Sequence, residues 1–197
     1  MLNLAADAAR DAGLKNVETR QMDAENIDLD ADSFDAAICR MGLMLFSDPV
    51  KALTGMRRVL KGAGKAVALV WLAQEKNLCR GVPLAVFRRL GGDFSAAPGL
   101  DLMFRLGERS ILEDTFKAGG FQEIAVHAVT TQWRFSSVAD AIRVTKDSFP
   151  GLQRIMAPLS DAQRGVAWSQ IEQEFRKYGD ANGFEGPGEV LIGVATK

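Results

Sequence analysis

The sequence predicts an α/β fold built around a mostly parallel sheet, and three observations carry that expectation. Helix-like and strand-like segments alternate from residue 1 to residue 71. Two short uninterrupted apolar runs, Ala36-Ala37-Ile38-Cys39 and Lys65 to Trp71 (KAVALVW), have the look of strands buried on both faces of a parallel sheet. Between them stands a helix with its own start signal, Asp48-Pro49, where Asp caps and Pro fits the first turn.

Taken in order, residues 1–12 (MLNLAADAARDA) form an Ala- and Leu-rich helix that Gly13 is placed to end. Residues 16–22 (NVETRQM) read as a short strand and Asp23-Ala24-Glu25-Asn26 as the loop after it. After Asp48-Pro49, Val50, Leu53, Met56 and Leu60 recur at near-helical spacing, and Gly62-Ala63-Gly64 breaks the chain before the KAVALVW strand. Residues 76–106 are irregular, with Gly81, Pro83, Gly91-Gly92 and Pro98-Gly99, and read as a mobile cap segment with some helix. Residues 108–118 form a helix, with Ser110 and Glu113 at capping-box spacing. Gly119-Gly120 stops it, and residues 121–129 form a strand. Helices follow from Ser136-Ser137 and from Ser160, the latter with Gln163 at capping-box spacing and running to about Tyr178. Residues 188–197 (GEVLIGVATK) form a last strand.

The 197 residues suffice for one domain with a core, at 47% hydrophobic and 25% charged residues. A formal net charge of −1 argues against a nucleic-acid or anionic-membrane partner, and Arg57-Arg58 and Arg88-Arg89 read as solvated helix faces. Cys39 and Cys79 are far apart in sequence and His127 is the lone histidine, so no zinc spacing exists and no metal is expected. No signal peptide and no membrane-spanning apolar stretch is visible, which fits a cytoplasmic, reducing location. Lys61-Gly62-Ala63-Gly64-Lys65 lacks the spacing of a phosphate loop and precedes a strand, not a helix.

Four segments in order, LKNVETRQMDAENI, SFDAAICRMGLMLFSDP, ALTGMRRVLKGAGKAVALVW and FRLGERSILEDTFKAGGF, resemble the class I methyltransferases. The likeness is greatest to the group that includes the ubiquinone and menaquinone biosynthesis methyltransferases. It covers roughly residues 1–125, is weaker from 126 to 188 and returns in the last strand. It implies S-adenosylmethionine as cosubstrate; Phe87, Phe94, Met103 and Phe104 of the cap segment favour a small, apolar organic acceptor, though they fit core packing equally well. It also implies a Rossmann-like sheet of order 3-2-1-4-5-7-6, with helices on both faces and a helical insertion (136–182) before the antiparallel last strand. Strands 3, 4, 5, 6 and 7 are expected here. Strands 1 and 2 are expected to be missing, because no Gly-x-Gly-x-Gly loop occurs anywhere in the chain. Residues 1–197 then make a single domain lacking its glycine-loop portion, weak or inactive alone, with an open sheet edge that invites self-association.

The resemblance also implies site residues. Asp23, just past a strand tip, would accept a hydrogen bond from the adenine amine, with the Ala24 N–H on a ring nitrogen; the alternative is that Asp23 caps its own turn. Arg40 would meet the cofactor largely through its backbone, although it replaces a smaller residue common in relatives. Gly42 beside it lets a ligand approach closely. Met44 and Phe46, with Phe87 of the cap, are candidates for the acceptor pocket, and ordinary core is the competing reading. His127 reads as structural, since sulfonium methyl transfer depends mainly on positioning. Two rival readings stand beside this one. The first is a non-catalytic, degenerate module stabilised by itself or a partner. The second is a nicotinamide-dependent oxidoreductase, which lacks both its glycine fingerprint and a Tyr-x-x-x-Lys pair.

Overall fold

The computed structural model describes residues 2–197. Helix α1 (Leu2–Asp11) ends as expected, with Gly13 at φ +69°. No residue of α1 is buried. The expected strand at 16–22 does not form; that stretch is irregular. A strand exists only through the neighbour it pairs with, and among the described residues none lies beside this stretch.

Strand β1 (Phe34–Arg40), helix α2 (Pro49–Val59) and strand β2 (Leu60–Trp71) make the expected strand–helix–strand unit, with β1 and β2 parallel. Asp48 caps α2 by accepting the Lys51 N–H at 2.9 Å. Helix α3 (Leu78–Arg89) follows, then helix α4 (Arg109–Ala118) and strand β3 (Gln122–Phe135). Helices α5 (Val138–Ser148), α6 (Pro150–Met156) and α7 (Asp161–Phe175) come next, and the two-residue β4 (Gly179–Asp180) turns into β5 (Gly183–Thr196). The sheet order is β1-β2-β5-β3, with β5 antiparallel to both neighbours. This is the 4-5-7-6 part of the expected order. The capping box at Ser160 and Gln163 forms as read. The one at Ser110 and Glu113 does not: the helix begins one residue ahead of Ser110, with Glu108 at its cap position and no side-chain cap bond.

Alternation along the strands sorts two faces. On the inner face Ala66, Ala68 and Val70 of β2 and Leu191 and Ala195 of β5 are buried with Leu53 and Met56 of α2 and Leu112 and Phe116 of α4. The row is small for a reason. A Cβ on Gly193 would meet the Phe116 ring at 2.5 Å, so only glycine lets that ring lie against the backbone. Phe116 is fully buried there, and truncating such a ring costs about 3–5 kcal/mol.

The outer face corrects two expectations. β1 is not buried on both faces, and Ile38 is 74% exposed. Helices do not cover both sides of the β1–β2 part: Val67, Leu69, Ile192 and Val194, which face outward, pack into neither core cluster. An apolar run reads as doubly buried only when a second layer is present to cover it.

A second core joins α3, α5, α6, α7 and the distal halves of β3 and β5 through Phe87, Ile171, Phe175 and Phe184. It joins residues within 76–106 to the helices within 136–182. Trp71, at the end of β2, packs on both cores, with its ring 6.1 Å from that of Trp133. Asn77 is the polar joint between the cores and is fully buried. Its Nδ2 donates to the Leu72 and Ala73 carbonyls at 3.0 and 3.1 Å, and its Oδ1 accepts the Glu189 N–H at 3.1 Å. Replacing it strands three backbone groups away from water. Asn77→Leu is therefore expected to cost about 3 kcal/mol, read as a lower urea midpoint.

Candidate functional site at the C-terminal rim of the sheet

In open parallel sheets ligands bind beyond the carboxyl ends of the strands, and here that rim is where β1 ends at Arg40. Met41 follows at φ +58° and donates its N–H to Leu69 O at 2.9 Å, turning the chain off the sheet. Gly42 then opens a short 3₁₀ turn, Leu43–Leu45. A Cβ on Gly42 would lie 3.2 Å from both Cys39 Sγ and the Phe46 ring, so the backbone passes here with no room to spare.

The Asp23 turn is brought to this rim from 22 residues away. Glu25 Oε1 accepts the Ser47 N–H at 2.7 Å. Arg58 of α2 donates to the Ile27 and Leu29 carbonyls at 2.6 and 2.8 Å, fastening the strand-less segment along the helix. Asp23 also caps its own turn: its carboxylate accepts the Glu25 N–H at 2.9 Å and bonds Asn26 Nδ2, while Asn26 N–H bonds the Asp23 carbonyl. Those bonds, with a smaller contribution from Lys51, hold the exposed carboxyl below its usual range. The carboxylate keeps acceptor capacity toward solvent, and the Ala24 N–H has no acceptor among the described residues.

Beside the turn runs an apolar trough of about 350 Å³, lined among others by Met22, Ala24, Ile27, Cys39, Phe46 and Met56. Phe46 O accepts from Arg105, which ties the cap segment to the rim. The other candidates fall elsewhere. The Arg40 side chain is exposed while its strand pairs with β2 at Leu69. Met44 is 2% exposed in the core under the sheet, and Phe87 lines a separate cavity with Leu90, Leu159 and Val166. The two are not gathered with Phe46 into one pocket, because the 3₁₀ turn directs Leu43 and Met44 inward. His127 is exposed on outer-face β3. Among the described residues no three His, Cys, Asp or Glu side chains converge as a metal site, and no helix is long and apolar enough to cross a membrane.

Glu25, Ser47 and Arg105 went unassigned in the sequence. Glu25 sits in the DAEN turn, but its partner is too distant for any local pattern, and Arg105 carried no signal.

The α/β layer is similar in architecture to solved methyltransferases. Residues 1–68 match the family model described as "Methyltransferase domain". The ubiquinone/menaquinone biosynthesis C-methyltransferase of Geobacter sp. is 33% identical over 108 residues, covering 51% of this chain and 46% of that protein. The chain thus spans about half the length of that relative. Among solved structures, a Bacillus halodurans protein assigned to the methyltransferases superposes over 100% of this chain and 78% of its own, with TM-score 0.62 at 17% identity. The [4+2]-cyclase SpnF superposes over 98% and 61%, with TM-score 0.52 at 20% identity. Residues 1–68 thus resemble the methyltransferase family in sequence, and the whole chain shares the fold of solved methyltransferases.

Two outcomes test the site's local chemistry. Glu25→Ala frees the Asp23 turn and is expected to cost about 1 kcal/mol, with faster hydrogen exchange at the Ser47 amide. Burial raises the Cys39 thiol and pushes Cys79 up to about 12. The thiolate is the reactive form, so both cysteines are expected to resist iodoacetamide near neutral pH in the folded protein and to react in urea.

Proposed function

We propose that this chain supplies the adenine-holding rim and the acceptor-side framework for S-adenosylmethionine-dependent methyl transfer to a small, apolar organic molecule. The observation that supports this most is the Glu25–Ser47 hydrogen bond, which carries the Asp23–Ala24 turn to the end of β1. There the residues suit the adenine half of the cofactor. Asp23 accepts from the exocyclic amine, and the Ala24 N–H donates to a ring nitrogen. Gly42 lets the backbone pass close against Cys39 and Phe46 at the rim, and Phe46 with the trough's apolar walls excludes water. The cofactor, when bound, supplies the electrophilic methyl group. Arg40 takes part through its backbone, in keeping with its exposed side chain.

The other half of the cofactor is not provided for. The sequence has no Gly-x-Gly-x-Gly loop for its carboxylate end and no strand-tip acid for its ribose. The chain alone therefore binds weakly and transfers slowly or not at all.

Calorimetric titration with S-adenosylmethionine is expected to give a dissociation constant above about 100 μM; micromolar affinity would overturn the weak-binding reading. Ala24→Pro deletes the N–H at a turn position that favours proline. It and Asp23→Ala are each expected to remove the remaining amide chemical-shift changes at the rim. Persistence of those changes in both variants would overturn the adenine assignment.

A further inference from the structure

Away from the rim, the packing of α3 against α7 is incomplete. A cavity of about 250 Å³ opens between them, lined among others by Phe87 and Leu90 of α3, by Leu159, and by Ala162 and Val166 of α7. Phe87 is the buried floor, and Leu90 and Val166, 43% and 50% exposed, stand at the mouth. Gln163 also lines the space, but its side-chain oxygen already accepts the Ser160 N–H at 2.9 Å. A closed cavity of about 150 Å³ with such apolar walls takes up benzene. This one is larger and open on one side, so it admits an apolar chain of about six to eight carbons.

The mouth carries positive charge that no anion meets. Arg89 donates to Gln170 Oε1 at 2.6 Å, and Gln170 stands one turn beyond Val166 on the same side of α7. Arg88 lies over the Phe94 ring, 5.4 Å from its centroid, and that ring meets Phe87 edge-on at 5.2 Å. Arg88 also reaches Gln74 Oε1 at 3.4 Å. The side-chain partners of both guanidiniums are therefore neutral amides. The acids on the flanking turns are engaged elsewhere. Asp93 accepts the Ser95 N–H at 2.8 Å together with its hydroxyl, and Asp161 pairs with Arg164 at 2.5 Å.

We propose that this cavity is a second ligand site, which takes a small carboxylate carrying an apolar chain. The chain fills the space over Phe87. The carboxylate meets Arg89, whose fork of donors matches a planar two-oxygen anion, and Arg88 adds attraction from farther out. None of the residues assigned to the cofactor lines this cavity, so the proposal stands or falls apart from the methyl-transfer reading.

Octanoate is a suitable probe, followed through the amide chemical shifts of the intact chain. Saturable shifts at Leu90, Ala162 and Val166 are expected, with a dissociation constant of about 1 mM or below. Octan-1-amine, equal in length and opposite in charge, is expected to bind about fivefold more weakly. Ala162→Phe and Val166→Phe each fill the cavity from an exposed helix position, and each is expected to abolish the shifts with the thermal midpoint unchanged. Arg89→Gln is expected to weaken octanoate about threefold and to leave octan-1-ol unaffected, a split that a merely apolar groove does not produce. Shifts that are absent, unsaturated at about 10 mM or confined to the Asp23 rim would overturn the proposal. So would equal affinity for the amine, or binding that survives both phenylalanine variants.

Discussion

The structure depends on how closely two helices can lie on one face of the sheet. Ala66, Ala68, Gly193 and Ala195 offer little side chain, so Phe116 and Leu53 reach down almost to the strands. Interiors are packed at crystal-like density, and a face this shallow tolerates little added volume. That contact fixes α2 and α4, and with them the ends of β1 and β2 where the candidate site lies. Small residues that a composition table would count as weak hydrophobes are what set the layer spacing.

From this base the rim is assembled by three polar straps. Glu25 holds the Asp23 turn to the start of α2, Arg58 holds the following segment to that helix's end, and Arg105 brings the cap to Phe46. Each strap ends on a backbone group, so the positions of the loops depend on main-chain geometry and tolerate variation in the side chains between. The ordering has an energetic logic, because a charged group on a backbone donor or acceptor is stronger than a neutral pair. An irregular segment with no strand partner is held in place without being paired.

Much of this was legible beforehand, where the signal was local. The Asp48-Pro49 start of α2 and the Ser160–Gln163 box of α7 each lie within a few residues and formed as read. The β2 run was legible too, because its length and composition leave few alternatives. What failed was whatever depended on a neighbour. Residues 16–22 have the local makeup of a strand but no strand beside them, and Ile38 has the makeup of a core residue but no layer above it. Met44 and Phe46, two residues apart in one apolar run, go to opposite fates, since only the path of the 3₁₀ turn decides which points inward. The likeness of the fold to a cyclase as well as to methyltransferases marks a similar boundary: architecture places a site, and its side chains decide the chemistry.

The contact between Trp71 and Trp133 has a practical consequence. It bridges the two cores at the point where β2 leaves the sheet. Paired indoles at this separation couple their electronic transitions, and the coupling vanishes when the rings part. The protein thus carries its own optical gauge of whether the helical half is seated on the strand layer, readable by ultraviolet circular dichroism without any added label.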